Sequence, residues 1–230
     1  MVPYSGWIFV ACGLMLGYFS YTIHFSLKED PTNKINYYYR QASIFISLSF
    51  LCYGIPSIAL SSNEQALTAG SVLGTLLAAI GFGSFLMIPL YSWLGKKRAP
   101  ALHSVITLYV IATVIINVIV PPTTYLDPAG ITHWGFSLPS SLVMAALITT
   151  AFTANIIPLI SSFKILSSLS ATNTISLIFT FTLTLFGGGY QYLGNSTMLL
   201  ALSLVSLFCG ILLVFLSALK KSFLIRTRLT

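Results

Sequence analysis

Seven predominantly apolar stretches, at about residues 6–27, 41–60, 67–94, 102–120, 138–163, 173–190 and 197–219, leave this chain little choice of solvent. Each is close to the roughly 20 residues that a helix rising about 1.5 Å per residue needs to cross a hydrocarbon core about 30 Å thick. Charged residues make up only 7% of the chain, where a soluble domain carries about a quarter. A water-soluble fold of this size has too few ionic side chains to cover itself. The sequence therefore predicts an all-α fold, an integral membrane bundle of seven transmembrane helices, as a single domain over residues 1–230. The first stretch is read as a span and not as a removable leader. It has no positive n-region, it is too long for an h-region, and no small-residue cleavage site follows it.

Charge orients the bundle, because cytoplasmic loops retain Lys and Arg and translocated loops do not. Lys28, Lys34, Arg40, Lys96, Lys97, Arg98, Lys164, Lys220, Lys221, Arg226 and Arg228 all fall on loops one, three and five or on the tail. Loops two, four and six carry only Glu64 and Asp127. This places the N-terminus outside and the C-terminus in the cytoplasm, and an even number of spans would scatter the later charges onto the wrong side. The net charge of +7 is spread over short loops, without the long basic run of a nucleic-acid-binding arm. Anionic lipid headgroups at the cytoplasmic face are the expected partner, and no nucleic acid is expected. Tyr4, Trp7, Trp134, Tyr190 and Tyr192 at the outer boundary, and Tyr37, Tyr38, Tyr39 and Trp93 at the inner one, read as interfacial aromatic anchors.

The connections are rich in helix breakers. KEDPTNK after the first span holds Pro31 and Asn33, SSNEQ follows the second, and GKKRAP from Gly95 follows the third. Pro121 to Ser137 is the longest stretch expected to lack regular structure. GGGYQYLGNST from Gly187 reads as a flexible turn. Within the spans, Gly70, Gly74 and Ala78 form a small-xxx-small face that lets another helix approach closely, in the bundle or in a partner. Pro56, Pro89 and Pro158 fall inside spans and invite kinks. Cys12, Cys52 and Cys209 read as buried free thiols, each alone in an apolar stretch. Asn117 and Asn155 are the deep polar residues, placed to hydrogen-bond between helices.

No Asp, Glu, Lys or Arg lies near the middle of any span. Proton relays, ion pathways and carriers of charged substrates put ionisable groups there, so a pump or proton-coupled transporter is disfavoured. Retinal needs a Schiff-base lysine in the last span, and Met198 to Leu219 has none. His24 and His103 share the cytoplasmic depth and are the one pair that could ligate a b-type haem. His133 with Asp127 is the only hint of a metal site. P-loop, GxSxG and HExxH motifs are missing, as are paired carboxylates. The expectation is a non-enzyme without a cofactor. Asn195-Ser-Thr fits the N-glycosylation pattern on the outer side. In the long outer loop, Tyr125, Asp127, His133 and Trp134 are the candidates for docking an external partner or for a ligand lid, since long loops are often binding elements.

Seven spans with the N-terminus out, a basic third loop at Gly95–Pro100 and an irregular segment at Pro121–Ser137 together resemble the seven-helix input modules of bacterial and archaeal sensor kinases. The resemblance covers the whole chain and is one of layout. It implies a sensor or receptor in a prokaryotic cytoplasmic membrane. Only KKSFLIRTRLT follows Leu219, so signal output would pass through a separate protein. The leading expectation from residues alone is a non-catalytic accessory or scaffolding subunit that works among other membrane protein subunits. A receptor for an apolar ligand between its helices is the rival, and a haem-bearing electron-transfer subunit is the third.

Overall fold

A computed structural model describes residues 2–162, 168–194 and 196–226. Helix α1 spans Tyr4–Glu29 and α2 spans Lys34–Ala59. The helical stretch Glu64–Ile119 is broken at Gly95, whose φ of 70° is left-handed, and its halves are α3 (64–94) and α4 (96–119). Then come a two-stranded ribbon, β1 Tyr125–Leu126 and β2 Thr132–His133, and the helices α5 (Leu138–Ser162), α6 (Ser168–Leu193) and α7 (Thr197–Arg226). Asn33 and Asn63 explain two of the starts. Each side-chain oxygen accepts the backbone N–H three residues on, at 3.0 Å from Asn36 and from Ala66, which satisfies a donor the helix leaves free.

Among the described residues, five helical segments are long and apolar enough to cross a membrane, in α1, α2, α3, α5 and α7. The apolar part of α4, His103–Ile119, is shorter. The chain reverses at Gly95, so α3 and α4 are antiparallel. A Cβ on Gly83 would lie 2.6 Å from Ile106 Cγ2, and the Thr68 hydroxyl donates to the Pro122 carbonyl at 3.3 Å. Packing then runs from α1 to α2, α2 to α3, the α3–α4 pair to α5, α5 to α6 and α6 to α7, and α7 returns to α1. The ring has a basic end, with Lys28, Lys34 and Arg40, and a cap end, where the ribbon lies.

The small-residue face of α3 is an internal contact with α2. A Cβ on Gly70 would lie 2.6 Å from the Cys52 carbonyl, and one on Gly74 would lie 2.9 Å from the Tyr53 ring, while Ala78 is buried. The first contact has a sequence reason. Pro56 lacks the N–H that would bond the Cys52 carbonyl, and Gly70 lets the α3 backbone come over that freed oxygen. The Asn155 amide donates to the Phe85 carbonyl at 3.2 Å and joins α5 to α3. Asn117 Oδ1 accepts from the Ser140 hydroxyl at 2.9 Å and joins α4 to α5.

Several expectations are corrected. Gly187 to Gly189 are not a flexible turn but lie inside α6, which runs to Leu193. Leu207 and Ser203 of α7 close on Gly187, so the glycine serves helix contact and not a turn. Pro121 to Ser137 is not irregular throughout, since it holds the ribbon, with Tyr125 opposite His133 and Leu126 opposite Thr132. Trp134 and Tyr192 are not interfacial anchors but are buried, whereas Tyr4, Trp7, Tyr37 and Trp93 are exposed. Cys12 is buried, Cys52 is half-buried and Cys209 is exposed, so only the first is a fully buried thiol. Lys164, Asn195 and Arg228 lie outside the described residues.

Candidate functional site: an apolar cavity beneath a hairpin cap

The loop at residues 121–137 is tied down from four sides. Between β1 and β2 the chain turns through Asp127–Gly130, and Gly130 takes a φ of 78° that suits only glycine. Ser5, at the start of α1, donates its backbone N–H to the Gly130 carbonyl at 3.2 Å, and its hydroxyl accepts the Thr132 N–H at 3.0 Å. The Thr132 hydroxyl reaches Ser57 of α2 at 3.2 Å. The Thr124 hydroxyl lies 3.4 Å from Ser71 of α3. Asp127 ties the ribbon to α7 through the Thr197 hydroxyl at 2.9 Å.

Asp127 is the electrostatic centre of this cap. Its carboxylate also accepts the Ile131 N–H at 2.9 Å and the His133 Nε2 at 3.0 Å. Burial pushes its pKa up, but these hydrogen bonds and the attraction of His133 outweigh burial, and the carboxyl is held below the usual aspartate range. Tyr125 stacks on the His133 ring with centroids 4.8 Å apart. Of the four loop candidates, Asp127, His133 and Trp134 are buried and only Tyr125 is exposed. The four are brought together as a closed cap whose polar groups satisfy one another.

Beneath the cap the ring surrounds a partly open cavity of about 510 Å³, within the roughly 300–1,000 Å³ common for small-molecule sites. Every helix except α4 contributes to its wall, and Trp134 and Phe136 of the cap form its roof. Among the described residues that line it, twelve are aromatic and none is charged. The rings interlock. Phe9 lies 5.7 Å from Trp134, Tyr53 lies 4.6 Å from Trp134, and Phe85 lies 5.3 Å from Phe152 and 5.6 Å from Phe181. Of the small-residue stripe, only Ala78 reaches the cavity.

A hydrogen-bonded chain crosses the cap end of the wall. Tyr53 Oη lies 2.8 Å from Thr75 Oγ1 and 2.8 Å from Tyr192 Oη. The Thr75 hydroxyl gives its single proton to the Ser71 carbonyl at 2.8 Å. Thr75 therefore accepts from Tyr53, Tyr53 accepts from Tyr192, and the chain runs from Tyr192 through Tyr53 and Thr75 to Ser71. Gln191, beside Tyr192, donates its amide to Ser203 and to the Leu200 carbonyl on α7.

His24 and His103 do not enter the cavity. His24 is half-buried on α1 and lines a small pocket at the basic end with Lys28, Tyr37 and Arg40, while His103 is exposed on α4. Among the described residues, no three His, Cys, Asp or Glu side chains cluster as metal ligands would. The chain matches no family model, no curated protein and no solved structure.

Sequence reasoning missed Tyr53, Gln191, Tyr192 and the aromatic wall. A signal was present in α2, where Tyr39, Ser43, Ile46, Phe50 and Tyr53 recur at steps of three and four residues and share one helix face. In a span that is apolar all round, however, the stripe facing a cavity has the same composition as the stripe facing lipid.

Proposed function

We propose that this chain is an integral membrane protein of a prokaryotic cytoplasmic membrane that binds an apolar ligand inside its bundle and signals its occupancy through a partner protein. In this reading the protein crosses the bilayer seven times. Its cap end and N-terminus face outward, and its basic end faces the cytoplasm. The aromatic cavity carries the proposal, being roofed, uncharged and of ligand size. The topology draws support from the five long apolar segments and from the gathering of positive charge at one end. Large apolar side chains such as Leu14, Leu108 and Ile119 are more than 60% exposed, which suits a lipid solvent.

Gly188 offers the test. It lines the cavity, and a Cβ built on it meets nothing within 4 Å. Gly188→Phe is expected to fill the space without disturbing helix packing. Protein purified from membranes and extracted with organic solvent should release a lipophilic molecule in near-equimolar amount, and the variant should release far less at unchanged melting temperature. Equal recovery of bilayer lipids from both proteins, with no enriched species, would sink the ligand-binding reading.

The accessory-subunit reading keeps one specific support. Helix α4 adds nothing to the cavity wall, and its Val105, Leu108, Ile111, Ile115 and Val118 form an exposed apolar face. A neighbouring subunit would bury that face. Cysteine cross-linking from Ile111→Cys in native membranes should then trap a discrete heterologous adduct, whereas a ladder of unrelated proteins would exclude it.

A further inference from the structure

The cavity wall holds two polar atoms that the protein itself does not satisfy. Ser49 is 1% exposed, yet its hydroxyl has no hydrogen-bond partner. Its neighbours on α2 behave otherwise. Ser43 and Ser57 donate to the carbonyls one turn back, Tyr39 at 2.6 Å and Tyr53 at 2.8 Å. Gln191 is 7% exposed, and its amide nitrogen is engaged by α7 while its Oε1 is unpaired. Both residues line the cavity. Each orphaned group loses its hydration and gains nothing in return.

Each residue adjoins one member of the Tyr53–Tyr192 pair along its helix. Ser49 lies one helical turn from Tyr53, Gln191 adjoins Tyr192, and the two tyrosines are 2.8 Å apart. Ser49 and Gln191 thus bracket the Tyr53–Tyr192 pair along α2 and α6 in a largely apolar wall. Gln191 Oε1 needs a donor. The Ser49 hydroxyl can take either role, and the Tyr192 hydroxyl has already committed its proton to Tyr53 and keeps only lone pairs. A hydroxyl group gives its one proton to Gln191 Oε1 and accepts from Ser49, and so answers both unpaired groups. A carboxylate or ammonium does not, because none of the described residues lining the cavity carries a charge to offset its desolvation.

Resting on the ligand-binding reading above, we infer that the ligand is an uncharged lipid with a terminal hydroxyl, seated with that hydroxyl toward Ser49 and Gln191 and its apolar body running toward the basic end. Trp134 in the cavity roof supplies the readout, since a bromine atom in contact quenches indole fluorescence. The other two tryptophans, Trp7 and Trp93, are exposed and outside the wall, and are replaced by Phe to leave one reporter. The probes are a long-chain alcohol brominated close to its hydroxyl, so that the bromine lies near the roof, and its methyl ether, titrated into protein in nanodiscs of saturated phosphatidylcholine. Trp134 should be quenched by both, with the alcohol binding about tenfold more tightly. Gln191→Leu should cut that preference severalfold while leaving the ether's affinity unchanged, which also reports that the variant is folded, whereas Ser49→Ala, which removes a donor open to either oxygen, should weaken both probes alike. Equal affinities for alcohol and ether in the parent protein would overturn the hydroxyl inference and leave the cavity reading standing. A preference that survives Gln191→Leu would overturn it as well. Absence of quenching by either probe would overturn the ligand-binding reading itself.

Discussion

Tyr53 and Tyr192 meet hydroxyl to hydroxyl at 2.8 Å, joining α2 to α6 across a cavity that otherwise keeps those helices apart. The direction of the proton chain makes the two tyrosines unequal. Removing the Tyr53 hydroxyl leaves the Tyr192 proton without an acceptor in a buried site. Removing the Tyr192 hydroxyl leaves Tyr53 still donating to Thr75. Tyr53→Phe should cost about 1–3 kcal/mol and Tyr192→Phe about 0.5–1.5 kcal/mol. Reversible unfolding in mixed micelles would measure both, and an equal or inverted ranking would refute the assigned direction.

The cap should fail in acid. The Asp127 carboxyl titrates below its unfolded value, so the unfolded chain takes up its proton first as pH falls. The stability it contributes is therefore complete above the ordinary aspartate range near pH 4, and it is lost as pH drops through the lowered folded value. Melting temperature plotted against pH should fall on that acid limb. In Asp127→Asn the limb should flatten, with a lower plateau at neutral pH because His133 and Thr197 lose a charged acceptor.

Two left-handed glycines should respond differently to alanine. At Gly130 a Cβ would run into the Val2 carbonyl, and φ is 78°. At Gly95 φ is 70° but nothing lies within 4 Å. Gly95→Ala should cost only the backbone term, about 1–3 kcal/mol, for a φ of 70° with ψ of 176°. Gly130→Ala should cost more and loosen the cap, read as faster proteolysis at the β1–β2 turn. A smaller loss at Gly130 than at Gly95 would mean that the ribbon is not fixed against the start of α1.

Adjacent glycines in α6 give a sharper contrast. At Gly187 a Cβ would lie 2.6 Å from the Ser203 carbonyl and from Leu207 Cβ, whereas at Gly188 it meets nothing. Gly188→Ala should stabilise by about 0.5–1 kcal/mol, because alanine is the better helix former. Gly187→Ala should destabilise by about 1–3 kcal/mol through overpacking. Thermal melts of the two single variants suffice, and matching signs would show that the α6–α7 contact is misplaced.

The all-helical character and the apolar segments were legible in the chain because both follow from local composition. The stop signals were legible as well where the chemistry is local: Asn33 and Asn63 cap, and Gly95 breaks. Local signals misled where a tertiary contact overrode them. Three consecutive glycines favour a turn in isolation, yet Gly187 is needed for α7 to approach, and α6 continues through it. Trp134 and Tyr192 carry the composition of interfacial anchors, but a cap folded over the bundle turns them inward.

What the sequence by itself determined is the presence of helices long and apolar enough to cross a membrane and the spacing of the eleven positive charges between them, since lengths of apolar chain and the order of charges are one-dimensional quantities. The cavity was decided only by tertiary structure. Ser49, Tyr53, Trp134 and Gln191 stand up to 142 positions apart and become neighbours through ring closure of α7 on α1 and the folding of the cap. In chains apolar on every face, hydrophobic periodicity carries no information about which side looks inward. That choice is made by backbone approach at glycines and by the few polar groups that must find partners away from water.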